Sequence, residues 1–516
     1  MSKFIQGRDR SQTHLFPVSL DEAVDKDNEV RLIDAFVDHL DIAEMGFKTV
    51  FDENGRPAYH PSDLLKLFIY GYQNRIRSSR QLEKECKRNI ELLWLLKSLS
   101  PDHNTISNFR RDNPKAIKKV FRETVRLAKY FNLIGGKLLA GDSAKLRAQN
   151  SKKNNYNQKK VERHLTYIDN KLEEYKAELA ENDGDKKEAI EKEIKKQQMR
   201  KEEYQSLEKQ LQGSGQPQIS TSDPDSRHLT TRNNITEVAY SAQTTVDAEN
   251  NIPIDYKMTN SNDKKAMGNM LRRSKSILGH NNFTALYDKG YHTGSELAIA
   301  DSLAINTIVA IPPLAGASHA PHPAYDVEHF SYNKENDTYT CPQGHELTTN
   351  NTWHNAKNSM GEVSFRFKNY TTRACKRCEV RGLCTKSAAN GKQVRRSEYT
   401  ESIENNKKRI EESEKLYKRR QSIVEHPYGT IKRQWGYSYI ITKKYIERAE
   451  ADFGFVMTAY NLRRLISIVG VETLIKQLGG FAFVFEVKTA LKKLKSRFLS
   501  HLVNKTDINH YFAKAA

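Results

Sequence analysis

Leu138-Leu139-Ala140-Gly141-Asp142-Ser143 decides how the rest of the chain is read. Small and apolar residues run straight into a carboxylate, the pattern of a buried strand that delivers an acid at its end. Gly135-Gly136 just before it closes off a region of helical periodicity. The pattern returns at Phe283-Thr284-Ala285-Leu286-Tyr287, which runs into Asp288-Lys289-Gly290-Tyr291. Between the two, strands are read over 238–247 and 252–258, joined by the turn-forming Glu249-Asn250-Asn251, and a helix over 263–277. A helix over 294–303 and a strand over 307–311, stopped by Pro312-Pro313, follow. Strands interleaved with helices, beginning with a hairpin, predict a mixed α/β layer fold.

Two insertions interrupt this core. Over 158–212, Val161, Leu165, Ile168, Leu172, Tyr175 and Leu179 recur at steps of four and three, the seam of a coiled coil. Asn182-Asp183-Gly184-Asp185 breaks the helix, and Ile190, Ile194, Tyr204, Leu207 and Leu211 continue on a second one, so a helical hairpin leaves the core and returns. Self-packing is the first reading of that hairpin and dimerisation the alternative. Gly213-Ser214-Gly215-Gln216-Pro217 is its exit. The second insertion, over 315–400, carries Cys341, Cys375, Cys378 and Cys384, with His345 as a spare ligand. Four thiolates including a Cys-x2-Cys knuckle satisfy tetrahedral structural zinc; the alternative is a set of reduced thiols. A fully protein-ligated site leaves no open position for catalysis.

Upstream, residues 28–133 read as helical. Leu64, Leu67, Phe68 and Gly71 follow the i, i+3, i+4, i+7 rule behind an opening at Pro61-Ser62-Asp63. Ser78 with Gln81 reads as a capping box that starts a further helix. After Pro101-Asp102 comes a short polar and basic helix in which Thr105, Ser107, Asn108, Arg110 and Arg111 are candidate DNA contacts. Helix, turn and a helix carrying small polar and arginine side chains is what reading a major groove requires. An ordinary helical bundle with a basic solvated face is the alternative.

Composition narrows the partner. Lys and Arg number 84 against 64 Asp and Glu, a formal charge of +20. Such a surplus favours a polyanion, because neutralising phosphates releases condensed counterions. No stretch reaches the roughly 18 apolar residues of a membrane span and no signal peptide opens the chain, so a cytoplasmic protein with no membrane partner is expected. Five cysteines in 516 residues are too few for a disulfide scaffold.

Phosphodiester cleavage without a covalent intermediate uses two divalent ions about 4 Å apart. Magnesium takes hard oxygen ligands, so carboxylates converging from separate elements suffice. Asp142 and Asp288 end apolar strands, and the third acid is sought on a helix crossing the sheet, where Glu425 is best placed. Lys418 and Lys432, seven residues either side, fall within about 20° of its direction on a helical wheel, in position to meet phosphates, although Pro427 disturbs the helix between. Trp435 and Tyr437 follow, with base stacking and core packing as the two readings.

These motifs resemble those of bacterial insertion-sequence transposases with a ribonuclease-H-like DDE core. Ala140-Gly141-Asp142-Ser143 matches the first acid, Tyr287-Asp288-Lys289-Gly290-Tyr291 the second, and Tyr417 through Lys432 the third. The family's third motif reads tyrosine, two residues, arginine, three residues, glutamate, six residues, lysine. Tyr417, Glu425 and Lys432 match, with one extra residue between tyrosine and glutamate. Gln421 therefore takes the arginine's place, and Arg420 lies one residue early, roughly 140° from Glu425. The likeness runs from the N-terminal helices to Phe453 through Arg464, which is similar to the closing helix of such cores, and the Cys-rich insertion has counterparts in some members.

The resemblance implies an α-helical DNA-binding domain over 1–133, a catalytic core over 134–465 holding both insertions, and a C-terminal helical tail over 466–516 with a lysine-rich helix near 488–497. It also implies two Mg2+ ions, with Mn2+ able to substitute, on Asp142, Asp288 and Glu425. Hydrolytic nicking at element ends would be followed by 3'-hydroxyl attack on target DNA. The partners implied are double-stranded DNA and further copies of the chain, as a homodimer or larger, at the bacterial nucleoid. Two alternatives remain open: a nuclease that cuts without joining, and a DNA-binding protein descended from a transposase.

Overall fold

The computed structural model describes residues 19–49, 57–181, 186–230, 235–313, 319–358, 361–387 and 390–480. Six helices come first: α1 (Glu29–Asp38), α2 (Pro61–Gln73), α3 (Ser79–Cys86), α4 (Ile90–Leu95), α5 (His103–Asp112) and α6 (Pro114–Tyr130). Pro61 opens α2 as the sequence predicts, its fixed φ suiting the first helical position. Ser78 is the N-cap of α3 but accepts no capping hydrogen bond, so the box with Gln81 does not form. Asp102 caps α5 instead, accepting from the amides of Asn104 and Thr105 at 2.9 and 3.1 Å.

The central sheet begins with β1 (Leu138–Arg147). The chain then leaves through β2 (Asn155–Tyr156), α7 (Gln158–Glu181) and α8 (Lys187–Ser214), and returns through β3 (Ile219–Ser220), which pairs with β2 at the base of the hairpin. Val161, Ile168 and Leu172 of α7 are buried, as are Ile190, Leu207 and Leu211 of α8, so the seam read from the sequence is the line along which the hairpin zips. The breaker at 182–185 lies outside the described residues.

The sheet continues with β4 (Arg227–Thr230), β5 (Thr236–Asp247), β6 (Ile252–Thr259), β7 (Thr284–Tyr287) and β8 (Asn306–Val309). Helix α9 (Met267–Leu278) joins β6 to β7, and α10 (Gly294–Ser302) joins β7 to β8. The order is β4-β5-β1-β7-β8, with β6 also on β5. Strand β1 runs antiparallel to β5 and parallel to β7, which runs parallel to β8. The antiparallel half starts from the Asn250-Asn251 turn, where Asn251 takes φ +53. The parallel half needs its crossover helices.

The Cys-rich insertion forms two small antiparallel sheets, which its irregular spacing had hidden. One is β9 (Ser331–Asn333), β10 (Thr338–Thr340) and β11 (Glu346–Leu347). The other is β12 (His354–Lys357), β13 (Val363–Tyr370) and β14 (Val394–Ser397), with the short α11 (Arg381–Cys384) between the last two strands. Phe330, Tyr339, Leu347, Tyr370 and Val394 make a separate apolar core there. Asp337 ties it together, accepting from Lys368, Tyr370 and Tyr332 at 2.7, 2.6 and 2.8 Å, and these bonds hold its carboxyl down at about 2.

Helices α12 (Thr400–Glu412), α13 (Glu414–Tyr428) and α14 (Ile446–Val469) follow, with a π-helical turn at Gly429–Gln434 after α13 and a further helical stretch over 471–480 where the described residues end. Helix α14 is the spine, buried almost without interruption from Ala449 to Leu462 and packed on α6, α2 and β6. Its Asp452 is fully buried and accepts from Tyr72, from the Tyr437 hydroxyl at 2.9 Å and from the Ile441 amide at 2.9 Å, with Arg110 at 3.6 Å. One carboxylate thereby ties α2 and α5 to α14 and to the segment that leads into it. No helix among the described residues is long and apolar enough to cross a membrane. The lysine-rich stretch near 488–497 lies outside the described residues.

Candidate active site

Strand register builds the site. Beside β7, β1 pairs Leu139 with Ala285 and Ala140 with Leu286. Two residues further on, Asp142 and Asp288 stand abreast on neighbouring strands, about 5 Å apart in backbone terms. Gly141 makes this possible, because a Cβ there would overlap the Tyr287 ring lying across β1. Asp288 ends its strand by turning the chain, its Oδ1 accepting from the Gly290 amide at 2.9 Å. Asp142 accepts from the Ser143 amide at 2.7 Å.

Burial pushes the Asp142 carboxyl up to about 6; Arg420 opposes that rise, while Asp288 and Asp263 reinforce it. Carboxylates crowded in a half-buried cleft favour a cation, and Arg420 of α13 supplies one, with Nη1 at 3.7 Å from Asp142 Oδ2. That nitrogen is buried and makes no hydrogen bond. Although Arg420 leaves the helix roughly 140° from Glu425, its long guanidinium still reaches Asp142. Tyr428 closes one wall, its hydroxyl 2.7 Å from the Thr244 hydroxyl.

Helix α13 lies over β1, β5 and β7, with Ile423 and Val424 packed on Ala140, Val246, Leu286 and Ile308. Glu425 is exposed and accepts from Gln421 Nε2 at 2.9 Å, so the residue in the arginine's expected place holds the glutamate. Among the described residues no three His, Cys, Asp or Glu side chains are grouped closely enough to hold a metal ion. The two strand acids come together, and Glu425 sits on the helix above them.

Asp263, on the turn after β6, escaped sequence reading. Its Oδ1 accepts from Lys145 at 2.8 Å, Gln243 at 2.6 Å and Ser241 at 3.4 Å, and Gln243 in turn receives the Tyr291 hydroxyl. The signal was thin: Lys145 lies three residues after Asp142, and Asp263 follows a strand in a polar run.

The expected DNA contacts divide. Ser107, Asn108 and Arg111 share one exposed face of α5, together with Asn104, which was not among the expected contacts. Thr105 is half-buried, its hydroxyl donating to Asp102 at 2.6 Å. Arg110 must be corrected: it is buried, donating to the Tyr72 hydroxyl at 2.9 Å and to the Arg77 carbonyl at 3.3 Å, because its position faces α14. Trp435 is corrected too, since it is buried in the main core against Tyr460 and cannot stack an unpaired base. Lys418 is exposed and pairs with Glu414 at 2.8 Å, and Lys432 lies over the Tyr428 ring.

In the insertion, Cys341, Cys375, Cys378 and Cys384 line one small cavity of about 20 Å³ with His345. Burial pushes the Cys384 thiol up, and the other three thiols add to that rise.

With the geometry in hand, comparison with known families gives the class. Residues 18–112 match the family described as a transposase domain (DUF772), and residues 340–466 match that described as a transposase DDE domain. The first span covers α1 to α5; the second covers the cysteines, Arg420, Glu425 and most of α14, while Asp142 and Asp288 lie upstream of it. Taken together, the two matches support an insertion-sequence DDE transposase. No curated protein matches the chain.

Proposed function

We propose that the chain binds the ends of its own insertion sequence and carries out metal-dependent phosphodiester hydrolysis followed by strand transfer, on a ribonuclease-H-like core. The observation that carries this reading is the pair Asp142, in the middle of β1, and Asp288, just past the end of β7, abreast on neighbouring parallel strands beneath the helix that bears Glu425. Asp142, Asp288 and Glu425 offer the hard oxygen donors that Mg2+ or Mn2+ takes, and a divalent ion bound there neutralises charge building on the phosphate oxygens. Arg420 beside Asp142 supports the fit, because the site already attracts a positive charge.

The exposed face of α5 reads double-stranded DNA, and Lys418 and Lys432 meet phosphates near the cut. Pairing of two ends calls for a homodimer or larger assembly, working in the cytoplasm at the nucleoid. Cys341, Cys375, Cys378 and Cys384 carry the soft thiolate chemistry that a structural zinc ion takes and line one cavity, and they would have to draw closer together than they stand to hold it.

The test is cleavage of plasmid DNA carrying the element's ends, with magnesium, by the wild type and by Asp142→Ala, Asp288→Ala and Glu425→Ala. Loss of 3'-hydroxyl cuts in each variant, with DNA binding retained, supports the three-acid site. Variants that cut like the wild type overturn the assignment. Cutting by the wild type without joining of pre-cleaved ends reduces the reading to a nuclease, and binding without any cutting reduces it to a DNA-binding protein.

A further inference from the structure

At the base of the α7–α8 hairpin, Asn155, Asn157, Lys159, Lys160, Arg163 and His228 line a concave pocket of about 290 Å³. Its charge is one-sided. Lys159, Lys160 and Arg163 all fall in the first turns of α7, where the helix's own amides already carry partial positive charge, so three cations there repel the helix and one another. Neither Lys159 nor Arg163 has an acidic partner among the described residues. Lys160 is spent on the carbonyls of Lys152, Lys153 and Asn155 at 3.1, 2.8 and 2.8 Å, which fix the loop that forms the rim.

The pocket floor carries unused polar capacity. Asn155 is fully buried, and its Oδ1 has no hydrogen-bond partner. That orientation is set by its neighbours: Gln218 Oε1 accepts from the His228 amide at 2.8 Å and therefore also accepts from Asn155 Nδ2 at 3.1 Å, leaving the Asn155 oxygen turned elsewhere. His228 Nε2 is likewise buried and unpartnered. Buried polar groups without partners are rare in folded proteins and point to a missing ligand or water.

We infer that this pocket is a phosphate-binding site that clamps the DNA backbone away from the catalytic acids, with Lys159 and Arg163 supplying charge and His228 forming part of its wall. The helix N-terminus adds amide dipoles of the same sense. The inference rests on the reading of the chain as a DNA transposase and says where the hairpin insertion serves it. His228 pairs with Val238 on β5, and Asp142 pairs with Thr244 on the same strand. Six residues of strand span roughly 20 Å. A duplex lying along β5 with its scissile bond at Asp142 thus passes the pocket about six base pairs away.

The test measures binding of a duplex carrying the element's end by the full-length chain over a range of salt. Each phosphate contact contributes about 0.9 to the slope of log affinity against log salt, so Lys159→Ala/Arg163→Ala lowers the slope by about 1 to 2. Lys192→Ala/Lys195→Ala, which removes equal charge from exposed positions of α8, leaves slope and affinity as in the wild type. Separately, His228→Ala weakens binding with the slope unchanged. The inference is overturned if the Lys159/Arg163 variant keeps the wild-type slope and affinity, or if the α8 variant loses as much. A wild type that binds no duplex overturns both the inference and the transposase reading, whereas a wild type that binds with an indifferent pocket overturns the inference alone.

Discussion

Replacing Arg110 by methionine tests whether the last residues of α5 face DNA or the protein's own spine. In the structure the Arg110 guanidinium is buried with Asp452 at 3.6 Å and donates to the Tyr72 hydroxyl at 2.9 Å. Methionine keeps the apolar stem over Phe68 and removes the charge, leaving Asp452 buried with two tyrosine hydroxyls and one amide but no cation. Removing one partner of a buried ion pair costs about 3–5 kcal/mol. At about 2–4 °C per kcal/mol for a domain of 150–250 residues, the melting point falls by at least about 6 °C. Thermal melts followed by circular dichroism give the shift, and Asp452→Asn in the Arg110→Met background recovers part of it, since no buried charge then lacks a partner. Binding of end DNA, measured well below the melt, stays at the wild-type level. An Arg110→Met protein that melts with the wild type yet loses DNA affinity refutes the reasoning and returns Arg110 to the DNA face.

Burial of Asp142 makes a pH prediction. Its folded carboxyl is pushed up to about 6 from an ordinary 3.8, so between those values the folded chain holds a proton that the unfolded chain releases, and stability falls as pH rises through that window. Asp142→Asn therefore melts above the wild type at mildly alkaline pH without divalent metal, with the gain gone below the window; an equal gain at both ends counts against it. Gly141→Ala drives a methyl into the Tyr287 ring and costs about 1–3 kcal/mol, read as an earlier urea midpoint together with weakened cleavage. Native mass spectrometry of zinc-treated protein shows one ion bound per chain and none after Cys378→Ser; an unchanged ion count removes the thiolate assignment.

The strands that carry the two candidate acids were legible because a buried parallel strand needs an unbroken apolar run, but the expected strand end holds only for Asp288, since β1 continues past Asp142 to Arg147. Leu138 to Ala140 and Ala285 to Tyr287 show that run within a few residues of an acid. The hairpin was legible for a similar reason, since its seam is a local repeat. What stayed hidden depends on tertiary register. Asp263 matters only because β6 ends where Lys145 and Gln243 arrive from two other strands, and no local pattern records that meeting. Arg110 and Arg111 look alike in sequence, but one helical step separates burial against α14 from exposure. The approach of Arg420 to Asp142 could not be read from the wheel, which fixes only the direction in which a side chain leaves the helix, while its length decides what it reaches. The six strands of the Cys-rich insertion are short and of mixed polarity, and their small core is assembled from residues as far apart as Phe330 and Val394.

The two-stranded clamp at the foot of the hairpin bears on how the chain folds. Arg147 of β1 pairs with Ala239 of β5 across more than ninety residues of sequence, the kind of long-range closure that slows folding. Helices α7 and α8 zip through local contacts and bring Asn155 and Tyr156 against Ser220 and Ile219. Once that clamp has formed, the loop still to be closed is about a third of its former length, a relief of roughly 1 kcal/mol in closure entropy. The insertion thus prepays part of the search for the pairing that sets Asp142 in place. Cutting the hairpin at its tip would be felt first as slower refolding of the central sheet.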